Sequence, residues 1–278
     1  MRYPINQLAH IEKITRYLNM KIGLIAGGGD LPLYVCQNEK IAAVVGFKGM
    51  SNDDIHRCDC PLLWTSLGKV GAMISFFKSH RITHIMMIGN IKRPSFAELK
   101  VDYKGAKWLI HLRSAFLKGD DGLLRAIADI IESEGFVMMP APKTVKITSC
   151  NLEMIDTITQ QDINHGDMIL KTLSAFDIGQ SIIVEHGIVL GIEAAEGTDH
   201  LIKRCKDLKK IKGAGVLIKR NKQHQHDFLD TPTIGPTTID LAYTCGLKGI
   251  SIDINTNIVH PVEVQSKIRE LNMFLQII

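Results

Sequence analysis

Apolar and polar positions fall in blocks along this chain, and the period changes from block to block. Residues 21–26 (Lys21-Ile-Gly-Leu-Ile-Ala26) form a near-continuous apolar run that ends in Gly27-Gly28-Gly29. That pattern predicts a buried strand entering a tight glycine turn. Residues 31–38 read as a helix and residues 41–45 as a second buried strand. Residues 67–79 read as a helix because Val70, Ile74 and Phe77 share a face. Residues 84–88 read as a third strand, closed by Gly89-Asn90. The clearest helix spans 122–135, where Leu123, Leu124, Ile127, Ile130 and Ile131 line one face. Asp120 and Asp121 stand where its N-cap belongs, and Gly135 ends it. A fourth strand at 136–139 follows, and the alternation predicts a parallel sheet covered on both faces.

Near residue 150 the texture changes. Residues 148–165 are polar and read as a linker plus helix. A second α/β series follows, with neighbouring strands at 181–184 and 188–192 joined at His186-Gly187. A helix at 199–209, a strand at 215–219, a polar loop at 223–238, a strand at 249–254 and a helix at 261–271 complete it. The expected organisation is an extension at 1–19, an N-terminal domain at 20–148 and a C-terminal α/β domain at 149–278. No internal repeat or low-complexity tract is present.

Composition narrows the class. With 278 residues, 45% hydrophobic and 22% charged, the chain is globular. A net charge of +4 does not call for nucleic acid. The one dense basic run, 203–212, reads first as a solvated helix face. The six cysteines include no Cys-x-x-Cys and read as reduced thiols of a cytosolic protein. No apolar run reaches the ~20 residues that span a bilayer, and no signal peptide is visible. Met86, Met87, Met138 and Met139 read as core filling.

The glycine turn suggests a phosphate site, because bare N–H groups can cradle an anion. A ligand-free tight turn reads equally well. The dinucleotide fingerprint fails: Pro32 replaces the third glycine, and Gly46-Phe47-Lys48 stands where a ribose-binding acid belongs. No Gly-Lys-Ser/Thr occurs, which excludes a Walker A loop. Lys92 and Arg93 follow Gly89-Asn90 at a strand end and suit a phosphate or a plain surface turn. The densest chemistry is Glu193-Ala-Ala-Glu-Gly-Thr-Asp199, where acids at a strand end are costly unless paired, exposed or metal-bound. Helix capping accounts for Thr198 and Asp199 equally well. Asp177-Ile-Gly-Gln180 precedes a strand. Asp230-Thr-Pro-Thr-Ile-Gly-Pro236 stiffens an acid and hydroxyls in one loop. His224, His226 and Asp227 read as exposed loop residues rather than a metal site.

These patches, in this order, resemble the UDP-2,3-diacylglucosamine pyrophosphatases of lipid A biosynthesis, of the LpxI type, distinct from the calcineurin-like phosphoesterases. The resemblance runs from about Met20 to the C-terminus. It rests on Ala26-Gly-Gly-Gly-Asp-Leu-Pro32, Gly89-Asn-Ile-Lys-Arg-Pro94, Gly119-Asp-Asp-Gly-Leu-Leu-Arg125 and the three second-half patches above. It implies a Rossmann-like N-terminal domain joined to a catalytic C-terminal α/β domain. The implied reaction is metal-assisted hydrolysis, with Mg²⁺ or Mn²⁺, to UMP and 2,3-diacylglucosamine 1-phosphate. Asp230, Glu196 and Asp199 would be catalytic, and Asp230, Glu193 and Glu196 metal ligands. Gly27, Gly28, Gly29, Lys92, Arg93, Asp121, Gln180, Thr198, Lys219 and Thr233 would bind substrate. A lipid substrate implies a cytoplasmic protein of a Gram-negative bacterium, in peripheral contact with the inner membrane, and the family implies a homodimer. One departure stands out. Where the family commonly reads Gln-Asp-x-Arg-Phe-Asp, this chain reads Gln225-His-Asp-Phe-Leu-Asp230. The arginine is lost, and Arg204, Lys219 or Arg220 are the candidates to replace its charge. The rival readings are a sugar-nucleotide-binding regulator without hydrolysis, which the missing arginine favours, and an oxidoreductase, which the failed fingerprint disfavours.

Overall fold

The computed structural model describes residues 20–91, 99–113, 119–142, 147–176, 178–221 and 232–278. The chain divides into two compact units, Met1–Ala141 and Pro142–Ile278. In the first, β1 (Ile22–Ala26), α1 (Leu31–Asn38), β2 (Ile41–Phe47), β3 (Leu62–Thr65), α2 (Val70–Ser79) and β4 (His84–Ile88) follow one another. Then come α3 (Tyr103–Leu112), α4 (Gly119–Ser133) and β5 (Val137–Met139). The sheet is all-parallel in the order β3-β2-β1-β4-β5. That order is Rossmann-like and reverses between β1 and β4.

The apolar runs seen in the sequence become strands because both sheet faces are covered, and every residue of β1 is buried. Phe77, Ile74 and Met73 of α2 pack with Ile25, Val45 and Ile85 in one core. Gly23 is needed there, since a Cβ would lie 2.7 Å from the Phe77 ring. Met86 is buried, and Met87 and Met138 pack on that core. The strand β3 and the helix α3 were not expected. β3 has only four residues, too few for a period to show. The expected N-cap at Asp120 and Asp121 is corrected, because α4 already begins at Gly119 and both acids fall in its first turn. Gly135 does follow the helix end in the left-handed conformation, at φ 96°.

The second unit holds α5 (Thr157–Ser174), β6 (Ser181–Glu185), β7 (Ile188–Ile192), α6 (Thr198–Cys205) and β8 (Val216–Lys219). It continues with β9 (Thr233–Ile234), α7 (Pro236–Thr244), β10 (Gly249–Ile252), β11 (Asn257–Ile258), α8 (Pro261–Glu270) and β12 (Phe274–Ile277). Its main sheet has the order β12-β10-β8-β6-β7 and is mixed: β6 runs antiparallel to both neighbours. Side chains alternate across it as strand geometry demands. Ile182, Val184, Val216, Ile218 and Phe274 face Ile163 and Leu170 of α5. Ile183, Leu217, Ile250 and Leu275 face the other way, into a core with Leu201, Ile239, Val264 and Ile268 of α6, α7 and α8. Gly166 lets α5 approach the sheet, because a Cβ would lie 2.8 Å from Ile218.

Two expectations are corrected here. The polar loop read through residue 238 is shorter, because Thr233–Ile234 pair with Asn257–Ile258 and Pro236 opens α7. Pro at the first helical position costs no hydrogen bond, so the stiff loop sequence doubles as a helix start. The basic run 203–212 is not wholly a solvated face: Lys209 is buried in an ion pair with Glu185, their side chains 6% and 5% exposed. No helix among the described residues is long and apolar enough to cross a membrane.

Candidate active site

At the switch point of the first sheet, the ends of β1 and β4 meet. The Gly27 N–H donates to Ile88 O at 2.7 Å, the Gly28 N–H to Asn90 O at 2.7 Å, and the Asn90 N–H to Gly28 O at 3.2 Å. A Cβ on Gly27 or Gly28 would fall 2.6 Å from Gly89 or Asn90. These two glycines therefore serve close backbone approach, and their amides are spent inside the protein. Gly29, at φ 86°, has open space where a Cβ would stand, and its N–H makes no backbone hydrogen bond among the described residues. Buried Ser51 braces the loop by donating to Ala26 O at 2.7 Å and accepting from Phe47 N at 2.7 Å. Lys92 and Arg93 lie outside the described residues, as does the side chain of Asp121.

The second unit assembles a tighter polar cluster from three strand ends and a helix start. Lys219 closes β8, Ser181 opens β6, Glu193 follows β7, and Thr198 opens α6. Lys219 Nζ donates to Thr198 Oγ1 at 2.6 Å, and the Thr198 hydroxyl donates to Glu193 Oε2 at 3.2 Å. Ser181 Oγ lies 3.2 Å from the same hydroxyl. Ser181, Lys219 and Glu193 are 0%, 4% and 7% exposed. Thr198 is thus not the helix cap: Gly197, at φ 81°, takes that place and leaves the threonine hydroxyl to the cluster. Gly179, at φ 45°, lets the chain pass Glu193, since a Cβ would strike the Glu193 carbonyl oxygen. Beside it, Gln180 Oε1 is buried without a hydrogen-bond donor among the described residues, and such an acceptor suits a ligand N–H.

The structure sorts the three cations proposed to replace the missing arginine. Arg204 is committed: its Nε donates to Glu196 Oε1 at 3.0 Å and its Nη2 to Ile192 O at 2.7 Å. Arg220, 7% exposed, donates to Ser251 Oγ at 2.8 Å and Lys219 O at 3.0 Å. Its Nε also lies 2.7 Å from Asp167 Oδ1, off the N–H line, so that contact is an ion pair without a hydrogen bond. Lys219 alone of the three forms no ion pair among the described residues, and its ammonium donates to a neutral hydroxyl.

Glu196 is drawn to Arg204 rather than into the Lys219 cluster. Partial burial raises its pKa, but hydrogen bonds from its own backbone and from Arg204 outweigh this and hold the carboxyl below the usual glutamate range. Asp199 is half-buried in the first turn of α6, where an acid complements the helix dipole. Thr233 lies in the short β9–β11 pair, and Asp230 lies outside the described residues. Among the described residues no three His, Cys, Asp or Glu groups converge as a metal site. Glu193 keeps one oxygen for a divalent cation while the other takes Thr198. Among the described residues Glu193 is thus a single carboxylate suited to a cation, with no second ligand beside it. His224, His226 and Asp227 also lie outside the described residues.

One grouping escaped the sequence reading. Cys36 on α1 meets Cys58 and Cys60, and burial first, then Cys58 and Asp59, push the Cys60 thiol up to about 11. All six thiols are free.

Each of the two units is matched by its own family model. The family model for the LpxI N-terminal domain matches residues 21–147, and that for the LpxI C-terminal domain matches residues 146–276; the chain belongs to the LpxI family. It is similar to UDP-2,3-diacylglucosamine pyrophosphatase LpxI of Caulobacter vibrioides, 33% identical over 245 residues, a match that covers 83% of this chain and 87% of the relative.

Proposed function

We propose that this chain hydrolyses the pyrophosphate of UDP-2,3-diacylglucosamine to UMP and 2,3-diacylglucosamine 1-phosphate in lipid A biosynthesis. The name of the Caulobacter relative and the two family matches support the substrate. The observation that carries the chemistry is Lys219, a buried ammonium bonded to the Thr198 hydroxyl and compensated by no ion pair among the described residues. A preorganised cation in a water-poor site stabilises charge that develops on phosphoryl oxygens.

In the reaction the oxygen of water bonds to one phosphorus, and the bond from that phosphorus to the bridging oxygen breaks. Both phosphates leave as monoesters. Asp230 orients the attacking water and accepts its proton. Lys219 and Thr198 hold a phosphoryl oxygen, and Gln180 accepts a ligand N–H. Thr233, in the same unit, contacts the rest of the substrate. A divalent cation such as Mg²⁺ or Mn²⁺, held by Glu193 and Asp230, would neutralise charge on the phosphoryl oxygens. Glu196 joins that set only by leaving Arg204.

The test is UMP release from UDP-2,3-diacylglucosamine by the purified chain, with Mg²⁺ or with EDTA. Metal-dependent release is the expected result. Release equal in EDTA would remove the metal. No release from folded protein across several divalent cations would replace hydrolysis with ligand binding alone.

A further inference from the structure

The helix α3 has two unlike faces. Its inner face is built from Gly105, Trp108 and Leu112, all buried, and a Cβ on Gly105 would lie 2.2 Å from Gly68 O. Its outer face carries Tyr103 and Ile110, 82% and 74% exposed. At about 100° per residue, positions 103, 107 and 110 centre this face. Ala106 and Arg113 flank one side, and Lys104 and His111 the other. Lys107, His111 and Arg113 are exposed, as is Lys100 just before the helix. Residues 103–113 contain no acid. The neighbouring Asp102 is occupied as N-cap, accepting the Gly105 N–H at 2.7 Å, and Glu134 is occupied by Lys104 at 2.5 Å.

We propose that this outer face rests on an anionic phospholipid bilayer. A protein partner would call for a groove or acidic complement, whereas an apolar centre ringed by cations matches an interface of acyl chains and anionic headgroups. Tyrosine is at home at that depth, and lysine and arginine stems lie along apolar surface with their charges in the headgroups. The choice of a lipid occupant rests on the proposed function, whose substrate carries two acyl chains.

The experiment is co-sedimentation of the full chain with substrate-free vesicles, of phosphatidylcholine alone or with a minority of phosphatidylglycerol. The chain is expected to sediment with the phosphatidylglycerol vesicles and to be released by salt. Lys107→Ser and Arg113→Ser should each weaken partition about fivefold. Tyr103→Ser with Ile110→Ser should weaken it roughly tenfold or more. Both sets should keep wild-type hydrolysis of detergent-dispersed substrate. The proposal is overturned if the wild type stays in the supernatant with both vesicles, or if the Tyr103→Ser/Ile110→Ser variant partitions like wild type. It is also overturned if that variant turns a dimer into a monomer while vesicles bind neither protein, which would make the face an interface between copies. Since no substrate is present, loss of hydrolysis and loss of vesicle binding are separate failures.

Discussion

Lys219 and Lys209 are both buried lysines, and their partners set their roles apart. Lys209 is neutralised by Glu185 and also donates to Ala214 O at 2.6 Å, so its work is structural. Burial raises the Glu185 pKa, but hydrogen bonds from Lys209 and Lys210 outweigh this and leave the carboxyl below its usual value of 4.5. The pair therefore stabilises the fold above that value and loses its contribution as pH falls through the lowered pKa. Glu185→Gln strands a buried ammonium and should cost about 3–5 kcal/mol in urea unfolding. Lys219, tied to a hydroxyl, is free to serve an anion. Lys219→Met should lower kcat/KM about a hundredfold while urea stability changes little. An unchanged kcat/KM would return Lys219 to a packing role.

At the scale of elements, the site depends on how β7 hands over to α6. The turn places Glu193 beside Ser181, and Gly179 must pass the Glu193 carbonyl with φ 45°. Gly179→Ala should cost about 1–3 kcal/mol from backbone strain alone, with the clash in addition, and should lower activity by displacing Glu193; thermal melting and steady-state rates would show both. Much of this level was legible in the sequence. Apolar runs at 22–26 and 84–88 and the His186-Gly187 hairpin are where the pattern put them, because period and turn chemistry are local. β3 and β12 were missed because strands of only four residues carry no clear period. α7 was hidden because Pro236 and its threonines read as loop until the helix start was seen. Glu193 and Thr198 were legible as a polar cluster at a strand end. The pairing of Thr198 with Lys219, and of Glu196 with Arg204, depends on side chains brought together by the sheet, and no spacing encodes it.

The whole chain is two units, each with its own core, and each matched by its own family model. A fragment of residues 142–278 should therefore fold alone, which circular dichroism and a cooperative urea transition would show; an unfolded fragment would mean that the second core needs the first unit. Confining both Lys219 and Asp230 to the second unit makes the catalytic claim sharp. The most direct test is UMP release by wild type, Asp230→Asn and Lys219→Met under Mg²⁺, with folding checked in each. The account predicts release by wild type, its near-abolition in Asp230→Asn and a loss of about a hundredfold in Lys219→Met. Wild-type rates in both folded variants would contradict it and move the chemistry out of the second unit.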